Sequence, residues 1–103
     1  YFSSRSSNYY YANSSTTSLT TSTPGGVSSS VIFELSLVQF STSTASVSFD
    51  SGFSYLGGVN FGNQTWINAS WAQQTTSGTM KSYSISSNIS GKYQTFQLQI
   101  LGF

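Results

Sequence analysis

Val31-Ile32-Phe33-Glu34-Leu35-Ser36-Leu37 carries the clearest structural signal in the chain. Val31, Phe33, Leu35 and Leu37 share one parity. Ile32, Glu34 and Ser36 share the other, continued by Val38 and Phe40. A period of two sustained over this length predicts a β-strand with an apolar inner face and a mixed outer face. The same period recurs downstream. Ala45, Val47 and Phe49 alternate with Thr44, Ser46, Ser48 and Asp50. Ile67, Ala69 and Trp71 oppose Trp66, Asn68 and Ser70. Tyr83, Ile85 and Ile89 oppose Ser82, Ser84, Ser86 and Asn88, and Phe96, Leu98 and Ile100 oppose Gln97, Gln99 and Leu101.

Asp50-Ser51-Gly52, Gly57-Gly58 and the polar run Gln73–Gly78 punctuate these segments. About six strands separated by turn signals every ~8–12 residues predict an all-β, immunoglobulin-like sandwich. No window carries a helical apolar stripe with caps, and Ser, Thr and β-branched residues are poor helix formers.

The segment before Val31 differs. Residues 1–30 hold 16 Ser or Thr and one charge, Arg5. Pro24-Gly25-Gly26 is the strongest breaker in the chain. The chain therefore divides into an N-terminal tail, 1–26, and a β-domain, 27–103. Two readings of the tail stay open. It folds back as the first strand of its own domain, or it extends and completes the sandwich of the next subunit. The second has a specific physics. A missing strand leaves an apolar groove and an unpaired edge, which an inserted strand fills with ladder hydrogen bonds and alternate side chains. Tyr9, Tyr11 and Leu19 share a parity and are the candidate groove-filling positions. Phe33, Leu35, Val47, Phe49, Trp71, Ile85 and Leu98 are the expected acceptor groove and core. A head-to-tail contact of this kind does not close, so it builds a filament.

Composition removes other functions. Only five of 103 residues are charged: Arg5, Glu34, Asp50, Lys81 and Lys92. There is no His and no Cys, so His/Cys metal clusters, cysteine nucleophiles and triads with a histidine base have no material. No metal or other cofactor is expected. Three basic residues give no electrostatic footprint for nucleic acid. No apolar run approaches the ~20 residues of a membrane span.

Ser and Thr number 37, and Asn and Gln add 13. Four Asn-x-Ser/Thr sequons occur, at Asn13, Asn63, Asn68 and Asn88. By parity, Asn68 and Asn88 lie opposite the apolar positions of their strands, and Asn63 follows Gly62 in a turn. These three are expected to face solvent and carry N-linked glycans, two or more of them occupied. Glu34 is expected on the solvated outer face. Were it buried, its pKa should rise, and a neighbouring Lys81 or Lys92 and an Asn would allow an isopeptide bond. Glu34 and Asp50 are the minimum pair for a glycosidase, with nothing else in the chain to support that chemistry.

In its tail Tyr1–Pro24, its alternating strand Val31–Leu37 and its sequons at Asn63, Asn68 and Asn88, the chain resembles the archaeal thread filament subunit. The resemblance implies a pilin-like β-sandwich, similar to chaperone–usher pilins, whose N-terminal tail is a donor strand. It also implies an extracellular, N-glycosylated, cell-surface filament built from copies of the same chain. If the chain is exported, Tyr1 would be the first residue after cleavage. The preferred expectation is thus a structural, non-enzymatic subunit. The alternative is a secreted, monomeric carbohydrate-binding or adhesive module that stacks sugars on Trp66 and Tyr55.

Overall fold

The computed structural model describes residues 4–22, 30–43, 45–74 and 82–101. The Pro24-Gly25-Gly26 breaker, Lys81 and most of the Gln73–Gly78 run lie outside the described residues. The fold is all-β: seven strands in one antiparallel sheet, with no helix among the described residues. They are β1 (Ser4–Tyr11), β2 (Thr16–Thr20), β3 (Ser30–Gln39), β4 (Val47–Phe49), β5 (Ser54–Phe61), β6 (Thr65–Gln74) and β7 (Ser84–Leu101).

The long β7 organises the others. Its first half pairs with β2 and β4, through Leu19↔Ile85 and Phe49↔Ile85. Its second half runs between β1 and β3, and the order continues as β1-β7-β3-β6-β5. The sequence predicts two strands here, one carrying Tyr83, Ile85 and Ile89 and one carrying Phe96, Leu98 and Ile100. The structure has one continuous strand, because Gly91 stays in the ladder opposite Thr16 and Lys92 follows opposite Gln39. Both strands of the N-terminal segment, β1 and β2, pair with β7 of their own chain.

The period of two in β3 is as expected, but the sides are exchanged. Ile32, Glu34, Ser36, Val38 and Phe40 are buried, while Phe33 and Leu35 are exposed. The core gathers Ile32, Val38, Phe40, Ala45, Phe53, Tyr83, Ile85 and Tyr93. Leu19, Val47 and Phe49 pack against it from β2 and β4, with Trp66 and Ala72 from β6. Its aromatic members meet edge to face: Phe40 with Tyr93 at 6.3 Å, and Phe53 with Tyr83 at 4.9 Å. Such pairs contribute about 0.5–1.5 kcal/mol beyond the area they bury.

Candidate functional site

The inner face of the sheet is unusually polar. Ser30, Glu34, Ser36, Asn68, Ser70, Thr95, Gln97 and Gln99 are all buried. Cross-strand hydrogen bonds make this tolerable. Ser36 Oγ lies 3.1 Å from Thr95 Oγ1, Thr95 Oγ1 donates to Glu34 Oε2 at 2.8 Å, and Gln97 Nε2 donates to Glu34 Oε1 at 2.5 Å. Glu34, expected on the solvated side, is 1% exposed. Burial pushes its carboxyl up to about 7, and the bonds from Gln97 and Thr95 pull it back only in part. The correction has a physical cause. Glu34 is paired with Gln97 in the register, so two neutral donors on β7 replace the water that a carboxylate loses on burial.

The opposite face is apolar and open. The register places Tyr9, Phe96, Leu35, Ala69 and Gly57 in one row across the five strands β1-β7-β3-β6-β5. The next row holds Ser7, Leu98, Phe33, Trp71 and Ser54, and the row on the other side Tyr11, Gln94, Leu37, Ile67 and Val59. None of these three rows contains a charge. Leu35, at the centre, is 54% exposed. A groove on this face is lined by Tyr9, Leu35, Leu37, Ile67 and Phe96.

The predicted donor residues fall into two groups. Tyr9 and Tyr11 stand exposed on β1, their rings stacked at 5.4 Å, with the Tyr9 hydroxyl donating to Gln94 Oε1. Leu19 is half-buried against the core. Of the predicted groove and core residues, Ile85 is buried and Val47 and Phe49 are half-buried against it. Phe33, Leu35, Trp71 and Leu98 instead share the open face. Of the core aromatics, Phe40 and Tyr83 lie on the period of two, whereas Phe53 and Tyr93 fall outside it. Their signal is bulk next to a turn or a glycine rather than a repeat.

Three of the four sequon asparagines are exposed: Asn13, Asn63 and Asn88. Asn63 caps the β5–β6 hairpin, where Gly62 and Asn63 both have positive φ, 61° and 56°. They are the central residues of a turn closed by the Gln64 N–H donating to the Phe61 carbonyl at 3.1 Å, in a three-residue loop, and Gly and Asn tolerate positive φ best. Asn88 Oδ1 accepts from the Ser46 backbone N–H at 2.7 Å. Asn68 is the exception to the expectation of solvent exposure. It is 4% exposed, and its Nδ2 donates to the Tyr83 hydroxyl at 3.4 Å. The parity opposite Ile67 and Trp71, expected to be the solvated side, is the buried polar face that Asn68 shares with Ser70.

Beside the hairpin lies a cleft of about 410 Å³, lined among others by Phe49, Asp50, Tyr55, Asn60, Trp66 and Ser70. Tyr55 is exposed at its mouth. Trp66 Nε1 and Ser70 Oγ are buried and unpartnered among the described residues. Asp50 Oδ1 accepts from the Gly52 N–H at 2.9 Å. Asp50 thus belongs to this cleft, whereas Glu34 belongs to the network with Thr95 and Gln97. No group of three potential metal ligands occurs among the described residues, and no helix there is long and apolar enough to cross a membrane. No protein-family model, curated protein or solved structure matches the chain.

Proposed function

We propose that this chain is the structural subunit of an extracellular, N-glycosylated surface filament, joined head to tail by its N-terminal strand. The observation that carries the reading is the position of β1. It is an outer strand that pairs with β7 and sets Tyr9 into the apolar groove beside Leu35, Leu37 and Phe96. The same eight-residue ladder and the same tyrosine contact are available to the tail of a neighbouring copy. Exchange between copies replaces each bond with an identical one, so it is gated by concentration and linker length rather than by new chemistry. In this reading 1–26 is the donor tail, residues 27–103 form the pilin-like sandwich, and exposed Asn13, Asn63 and Asn88 carry glycans. The sparse charge suits it, since an uncharged surface associates unless it is covered or glycosylated.

Electron microscopy of native material tests the proposal. Filaments are expected, lost on deleting residues 1–23 and not restored by the peptide 1–23 added in trans, which fills the groove without linking two domains. Globular particles at every concentration would overturn it. A second reading, a carbohydrate-binding module, is favoured by one observation: Tyr55 and Trp66 line the same cleft. Trp66→Ala should then abolish sugar binding while leaving assembly intact.

A further inference from the structure

We propose that the open apolar face packs against the same face of a second copy, a lateral interface separate from any exchange of tails. Five of its side chains, Tyr9, Phe33, Leu35, Val59 and Phe96, are between 37% and 56% exposed. At 150–250 Å² for an aromatic side chain and somewhat less for Leu or Val, these alone offer roughly 450 Å². The half-buried residues between them bring the face toward the ~800 Å² per partner of a standard interface. A patch of this size matches the largest that a typical monomer leaves open, about 300–600 Å², which is often a functional surface.

The chemistry of the face selects its occupant. Its three central rows carry no charge, so nothing there recognises an ionic partner. An apolar sheet face is matched by another of the same dimensions, and a second copy supplies one. The rows are also self-complementary. In the central row bulky Tyr9 and Phe96 lie on the β1 side of Leu35, and small Ala69 and Gly57 lie on the β5 side. A two-fold axis along β3 sets β1 of one copy over β5 of the other. Tyr9 and Phe96 then face Gly57 and Ala69, and Leu35 meets its own counterpart on the axis. Two sheets packed this way lie about 10 Å apart at the aligned angle of roughly 30°.

The chain has no cysteine, so single cysteines can be placed cleanly. In the full-length chain, Leu35→Cys and the control Ser84→Cys, exposed on the first half of β7, are treated with a bismaleimide spanning the ~10 Å between packed sheets. Leu35→Cys should cross-link into dimers severalfold more than Ser84→Cys. Equal cross-linking would overturn the proposal. Sedimentation supplies an independent reading. Val59→Lys, on the same face but outside the groove that holds Tyr9, should halve the mass of the paired species, or split paired filaments into single ones of unchanged length, while circular dichroism stays that of the parent. An unchanged mass or width would overturn the proposal and leave the face to a partner of another kind. Filament length reports on the tail and width on this face, so the two proposals fail separately.

Discussion

Thr95 Oγ1 donates a 2.8 Å hydrogen bond to Glu34 Oε2, tying β7 to β3 beneath the sheet. The carboxyl it holds is nearly inaccessible to water, and that burial, against the pull of the bond, makes the stability of the fold depend on pH. The folded carboxyl protonates at about 7, against an ordinary value of 4.5. The folded chain therefore binds this proton more tightly than the unfolded chain does. The stabilisation is fully present below about pH 4.5 and is lost as pH rises through about 7. A shift of this size corresponds to about 3 kcal/mol. Denaturant titrations at pH 4 and pH 8 should show the parent chain more stable in acid. Glu34→Gln should remove most of that difference. A parent chain of equal stability at both values would contradict the burial of Glu34.

The exchange of sides in β3 has its own measurable consequence. Ile32 is buried in the core and Leu35 is largely exposed, three residues apart on one strand. Ile32→Ala should cost about 2–5 kcal/mol, through lost transfer free energy and the cavity left behind. Leu35→Ser should cost less than about 1 kcal/mol in the isolated chain, because its side chain already meets water. Chemical denaturation of both variants below the concentration at which copies associate checks this. A Leu35→Ser loss as large as that of Ile32→Ala would place the core on the other face.

The same pair shows what the sequence makes legible. The strand existence and parity of Val31–Leu37 are local properties, and periodicity carries them. Which parity turns inward is not local when both contain large apolar residues. It is settled by Thr95 and Gln97, sixty residues away, whose hydroxyl and amide make the burial of Glu34 and Ser36 tolerable. The open face is hidden for the same reason, since it exists only when Phe96 and Leu98 of β7 line up with Leu35 and Phe33 of β3. The Gly62-Asn63 turn was legible, because glycine and asparagine signal positive φ directly. Tyr55 and Trp66, paired by the sequence as exposed sugar-stacking residues, line one cleft, but Trp66 is half-buried against the core because β6 turns its parity inward.

Glycan occupancy separates the sequons by their surroundings. The modification needs Nδ2 in water, and in Asn68 that atom faces Tyr83 on the buried side of β6. Asn63 stands on an exposed hairpin. Peptide mass spectrometry of native material should find glycan at Asn63 and bare asparagine at Asn68, with Asn13 and Asn88 also accessible. Glycan at Asn68 would require β6 to present its inner face to solvent, against the packing of Asn68 on Tyr83.

Gly91 marks the place where β7 changes partners, from β2 and β4 to β1 and β3, and the change depends on the absence of a side chain. A Cβ there would lie 2.5 Å from two ring carbons of Phe40 and 2.7 Å from the Gln39 carbonyl oxygen. The backbone cannot yield without moving β3, and Phe40 is a core ring held edge to face by Tyr93. Gly91→Ala should therefore destabilise the chain by about 1–3 kcal/mol, the usual cost of overpacking. Gly57 is the control, since a Cβ there meets nothing within 4 Å. Gly57→Ala should leave folding stability nearly unchanged or slightly raised, because alanine lowers the entropy of the unfolded chain. Denaturation midpoints of the two variants measured side by side decide the matter. Equal midpoints would mean that β7 does not pass over Phe40 at Gly91, and that its two halves are separate strands after all.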